Sequence, residues 1–73
     1  MIDNRNRFRY RFRHKVTGQE SYFDTWCYGS IYEQISLYRK DLKQMCLQNV
    51  SNKTHELIEV IWLMNNTTIW KED

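Results

Sequence analysis

The sequence predicts a small α+β domain: a two-layer β-β-α-β-β arrangement, an antiparallel sheet with one helix packed on one face. Three observations carry this reading. Arg5 to Lys15 alternates strictly, with arginine at every odd position from 5 to 13 and Phe8, Tyr10 and Phe12 between them. A period of two is the strand signature, and it sends the arginines to one face and the aromatics to the other. From Ser30 onward the apolar period lengthens to steps of four and three. Finally, Gly18 and Gly29 are the only glycines, proline is absent, and both glycines fall where the period changes. Seventy-three residues make one domain, 1–73, with residues 1–4 expected to fray, a hairpin over 5–27, a helix over 30–48 and a second hairpin over 55–71.

In the first hairpin, Val16-Thr17-Gly18-Gln19 reads as a tight turn in which Gly18 supplies a positive φ. Ser21 to Cys27, rich in Tyr, Phe, Thr and Trp, is the returning strand. A two- or four-residue turn would set Lys15 opposite Glu20, Arg13 opposite Tyr22, Arg11 opposite Asp24 and Arg9 opposite Trp26. Phe12 would then meet Phe23 on the other face. A bulged turn would shift the pairing by one and exchange the faces. The first register is preferred because it pairs opposite charges across the strands.

Ser30 and Glu33 form a capping box at the start of the helix. Ile31, Ile35, Tyr38, Leu42 and Met45 then make one apolar stripe lasting to about Gln48, with Arg39, Lys40 and Lys43 off it as a second cationic cluster. His55 to Met64 reads as a strand with apolar side chains on both faces, Leu57, Ile61 and Leu63 on one, and Ile58, Val60 and Trp62 on the other. Asn65-Asn66 suits a two-residue turn, with Thr67 to Lys71 returning and carrying Ile69 and Trp70. One helix covers one face of such a sheet, so a second copy, a partner or stacked bases is expected on the other.

The net charge is only +2, but it is unevenly distributed. Residues 1–15 hold six cations against Asp3, whereas the remainder holds five cations against eight carboxylates. Such asymmetry points to an anionic partner for one end of the molecule. Arginine is always charged, its planar fork bonds phosphate or carboxylate bidentately, and it stacks on π faces. Five such groups, spaced about 6.5–7 Å apart by strand geometry, could track a phosphate backbone. Arg5, Arg7, Arg9, Arg11, Arg13 and Lys15 are therefore the candidate anion-binding residues, with Tyr22 and Trp26 as stacking platforms and Arg39, Lys40 and Lys43 as accessory cations. Trp62 and Trp70 are the candidate contacts for a partner protein or second copy. The bland alternative is a solvated face that discourages edge-to-edge aggregation.

Cys27 and Cys46 lie nineteen positions apart, and neither they nor His14 and His55 have the short spacing of zinc ligands. Reduced, part-buried thiols, surface imidazoles and no cofactor are expected. A ribonuclease-like reaction using His14 and His55 as acid and base is a third alternative, though nothing in the spacing brings them together. The charged first fifteen residues lack the apolar core of a secretory signal, and Val60 to Met64, the longest apolar run, is too short for a membrane span. A cytoplasmic, non-membrane protein is expected, with the four Asn-x-Ser/Thr triplets from Asn49, Asn52, Asn65 and Asn66 unglycosylated.

In composition and size the chain resembles the short accessory proteins of AT-rich bacteriophages: no alanine, no proline, six asparagines, and many Tyr, Trp and Ile. The resemblance implies a stoichiometric inhibitor of a host or defence component and carries over no residue. Function is thus expected to be non-enzymatic binding of an anionic partner, nucleic acid first (RNA or a single strand), with an acidic protein surface as the alternative.

Overall fold

The computed structural model describes residues 6–72. Arg5 and the frayed segment expected at 1–4 lie outside the described residues. Strands β1 (Arg7–His14), β2 (Glu20–Trp26), β3 (His55–Trp62) and β4 (Thr67–Lys71) form one antiparallel sheet, and helix α1 (Ile31–Lys40) joins β2 to β3. The strand order is β2-β1-β3-β4, so the arginine strand lies inside the sheet. Its aromatics explain why: Phe8, Tyr10 and Phe12 are at most 7% exposed and form the centre of the core.

The first hairpin has the expected faces but a register displaced by two residues. His14 donates its N–H to the Gln19 carbonyl at 2.8 Å and Gly18 bonds back to the His14 carbonyl, so residues 15–18 make the turn, with Gly18 at φ +76°. Arg13 therefore meets Glu20, Arg11 meets Tyr22, Arg9 meets Asp24, Arg7 meets Trp26, and Phe23 pairs with Tyr10 instead of Phe12. A shift of two leaves every side chain on its expected face.

The helix is shorter than its apolar stripe. Ser30 Oγ accepts from the Glu33 amide, as the capping box requires, but regular helix stops at Lys40. Asp41 is extended, Leu42–Met45 is a short 3-10 helix, and Cys46 is left-handed at φ 57°. Asn52 stabilises the break: its side chain accepts from the Leu42 amide at 2.6 Å and donates to the Arg39 carbonyl at 2.9 Å. The stripe still reaches the core, because Ile35, Leu42 and Met45 are buried and Ile31 and Tyr38 pack against them. Tyr10 stands edge-on to Tyr38 with centroids 5.3 Å apart and donates its hydroxyl to Gln34 Oε1. Burial drives the Tyr10 phenol well above its usual range.

β3 departs from simple alternation through a bulge. Glu59 faces Arg11 while the next aligned pair is Leu57 with Phe12, so Ile58 is the extra residue. Leu57 consequently joins Val60 and Trp62 on the helix side, and Ile58 moves to the side expected for Leu57. β3 also ends at Trp62 instead of Met64. Residues 63–66 turn the chain, Asn66 adopting the left-handed conformation at φ 55°.

Candidate functional site on the open sheet face

The face away from α1 is built from β1's odd residues and the residues opposite them. Arg7, Arg9, Arg11 and Arg13 run down the middle, Glu20, Tyr22, Asp24 and Trp26 flank them on β2, and Glu56, Glu59 and Ile61 flank them on β3. Arg9 forms a two-pronged pair with Asp24 at 2.7 and 3.0 Å. Arg11 bridges Glu20 on β2 and Glu59 on β3. Arg13 places Nε and Nη on Glu56 at 3.0 and 2.9 Å and reaches Glu72 at 3.4 Å. Five carboxylates thus stand among these four arginines and Lys71, which faces Glu59, and the face is formally neutral.

The electrostatics follow from these contacts. The hydrogen bond from Arg9 holds the Asp24 carboxyl below its ordinary range, and hydrogen bonds from Thr68 and then Arg11 do the same for Glu59. Arg9, Arg11 and Arg13 are correspondingly harder to deprotonate. Ile58 and Ile61 lie among these long side chains, whose aliphatic stems shield apolar surface from water. A polar cleft of about 330 Å³ opens over Ile58 between Arg11, Arg13, Glu20 and Lys71. The chain's own ion pairs thus border Ile58 on the face where a covering partner is expected.

Two aromatics mark the β2 margin. The Arg9 guanidinium lies 4.1 Å from the Tyr22 ring centroid, and that of Arg7 lies 5.8 Å from Trp26. Tyr22 is 61% exposed. Trp62 and Trp70 are on the other side: they pair with Phe8 and Val60, pack half-buried against the core, and do not belong to the open face. Alternation places them there, because each faces a residue whose side chain points to α1. The accessory cations are divided from the ladder in the same way. Arg39 lies 4.8 Å over the Trp70 ring, and the exposed Lys43 borders a different cleft with Leu47 and Val50. Lys40 is exposed on α1. Lys15 and Arg39 both line a cleft of about 200 Å³ with His55 and Glu56.

The structure also brings His14 and His55 together, which their spacing did not foretell. They pair across β1 and β3 with ring centroids 4.9 Å apart, edge to face. His14 Nδ1 accepts from the Val16 and Thr17 amides, so this nitrogen carries no proton and the imidazole organises the turn. His55 Nδ1 lies 2.7 Å from Thr54 Oγ1. Burial and then the neighbouring His14 lower the proton affinity of His55. The unfolded chain therefore binds protons more tightly there, and stability should fall as pH drops below about 6.5. A urea midpoint lower at pH 5.5 than at pH 7.5, with the difference much reduced in His55→Gln, is the expected result. Asp24 and Glu59 titrate well below that interval, so equal midpoints would remove the histidine explanation. Cys27 and Cys46 are free thiols, but instead of both being part-buried the first is buried and the second exposed. No group of three or more His, Cys, Asp and Glu is arranged to hold a metal among the described residues, and no described helix is long and apolar enough to cross a membrane.

No protein-family model matches the chain, and neither a curated protein nor a solved structure matches it.

Proposed function

We propose that the chain is a non-enzymatic binding module that presents its open sheet face to a partner protein. The observation that carries this reading is the pairing of the ladder: Arg9, Arg11 and Arg13 each have carboxylate partners already. A phosphate backbone would have to displace those carboxylates, losing one charge-assisted bond for each one gained. A protein surface can instead exchange individual pairs while burying Tyr22, Trp26 and Arg7, the residue types that most often anchor interfaces. Stoichiometric inhibition of a host or defence component is the role suggested by the likeness to phage accessory proteins.

Nucleic acid is the second reading. It is favoured by the two cation-aromatic pairs at the β2 margin, where bases could stack, and by the cleft that Lys15 and Arg39 both line. The discriminating experiment is fluorescence-anisotropy titration with short labelled RNA, single-stranded DNA and duplex DNA across a salt series. It is paired with affinity capture from bacterial lysate by the wild type and by an Arg7→Ala, Tyr22→Ala, Trp26→Ala variant. Weak or absent polymer binding, with one protein captured stoichiometrically by the wild type alone, is expected. Submicromolar binding with a steep salt dependence, lost on replacing Arg7, Arg9 and Arg11 by alanine, would overturn the protein reading in favour of nucleic acid.

A further inference from the structure

The two edges of the sheet are unlike. β4 is five residues long and carries an irregularity between its pairs with Val60 and Ile61, which interrupts a flat edge. β2 is seven residues long, pairs with β1 without any register break, and contains neither proline nor lysine. It thus lacks the bulge, proline and lysine with which sheet edges are commonly blunted. The bonds at the two ends of the β1–β2 ladder, His14 N–H to Gln19 carbonyl and Cys27 N–H to Asn6 carbonyl, fix its phase. Odd residues of β2 bond inward to β1. The N–H and carbonyl groups of Glu20, Tyr22, Asp24 and Trp26 therefore point away from the sheet, with no backbone partner among the described residues.

We propose that this edge pairs with the β2 of a second copy of the chain, antiparallel about a two-fold axis at Phe23, to give a continuous eight-stranded sheet. The sequence of the edge selects both the occupant and the register. Outward-pointing residues must form the hydrogen-bonded pairs, so even positions align with even positions. With the axis at Phe23, Glu20 meets Trp26 of the second copy and Tyr22 meets its Asp24. All seven residues pair, and about eight backbone hydrogen bonds form. Moving the axis to Tyr22 sets Glu20 against Asp24, and moving it to Asp24 sets two aspartates face to face. Like charges directly opposite destabilise a pair, so the Phe23-centred register is preferred over both neighbours. On the helix side the same register brings Phe23 against Phe23 and Ser21 against Thr25, an aromatic pair flanked by two hydroxyl pairs. Both kinds of cross-strand pair are favourable. Phe23 is already half-buried against the core, so its ring is held in place before the second copy arrives.

The test combines sedimentation equilibrium over a concentration series with a designed cross-link. The wild type should dimerise. Tyr22→Glu places a carboxylate opposite Asp24 twice by symmetry and should weaken the dimer at least tenfold. Tyr22→Lys loses the same aromatic ring but faces Asp24 with a cation and should retain it. Tyr22 is exposed, so both variants should fold, which circular dichroism checks. In a Cys46→Ser background, Ser21→Cys with Thr25→Cys should form a dimer on a non-reducing gel after oxidation. The Cα separation of a non-hydrogen-bonded pair falls within the range a disulfide spans. A wild type that stays monomeric to several hundred micromolar would overturn the proposal. So would a dimer equally weakened by both Tyr22 variants, or one that fails to cross-link.

Discussion

Phe12→Ala is expected to leave the chain largely unfolded at 25 °C. Phe12 is 1% exposed and packs within the same core as Leu57, Leu42 and Val60. Deleting a buried phenylalanine costs about 3–5 kcal/mol through lost transfer energy and the cavity left behind. A single-core domain of this size has only about 3–5 kcal/mol of net stability in total. Loss of proton chemical-shift dispersion and of the cooperative urea transition would be the readout. Arg7→Ala, five residues along the same strand but pointing the other way, should change stability by less than about 1 kcal/mol. A cooperative transition retained in Phe12→Ala, with a midpoint near the wild type, would mean that this ring is not at the centre of the core.

The second large effect is a gain of binding. Replacing Glu20, Asp24 and Glu56 by Gln, Asn and Gln removes three negative charges beside Arg9, Arg11 and Arg13 while keeping amides that can still accept hydrogen bonds. The Arg9–Asp24 and Arg13–Glu56 pairs are part-buried, but amides in place of the carboxylates keep acceptors for the arginines, so no buried donor is orphaned and the variant should fold. Its face, formally neutral in the wild type, becomes cationic by three charges. Each phosphate neutralised on a single strand contributes about 0.7 to the salt slope, so the slope should steepen by about 2. Affinity for a short single strand at low salt should rise at least a hundredfold, as anisotropy would measure. Unchanged binding would show that the carboxylates are not what restrains the arginines, and would weaken the argument for a protein partner.

Much of this architecture was legible from local pattern. Strict alternation in β1 revealed both faces, Ser30 and Glu33 marked the start of α1, and Gly18 marked a positive φ at the first turn. What escaped was of longer range. The helix break at Asp41 depends on Asn52, whose side chain reaches back from the segment leading into β3. The bulge at Ile58 has no local signal, because an apolar run looks alike with or without an extra residue. The ion pairing of the site was half visible. Glu20 and Asp24 were placed beside the arginines by the hairpin, but Glu56, Glu59 and the His14–His55 contact required knowing that β3 lies against β1. Glu56 and Glu59 carry charge opposite to the ladder, but three residues apart they share a face only because of the bulge at Ile58.

The interior position of β1 also has a kinetic consequence. Its pairs with β3 join residues separated by roughly forty to fifty-five positions, from His14 with His55 to Phe8 with Trp62. Those pairs cannot reward the chain until the intervening loop has closed, whereas each hairpin closes locally. The β1–β2 hairpin should therefore form early and wait for β3, its three core aromatics incompletely covered. Until Glu56 and Glu59 emerge from the ribosome, the hairpin's four arginines should be offset only by Glu20 and Asp24, leaving a net positive face that would repel neighbouring nascent chains. A face that is neutral in the finished fold would thus be cationic, and resistant to aggregation, while β3 is still being made.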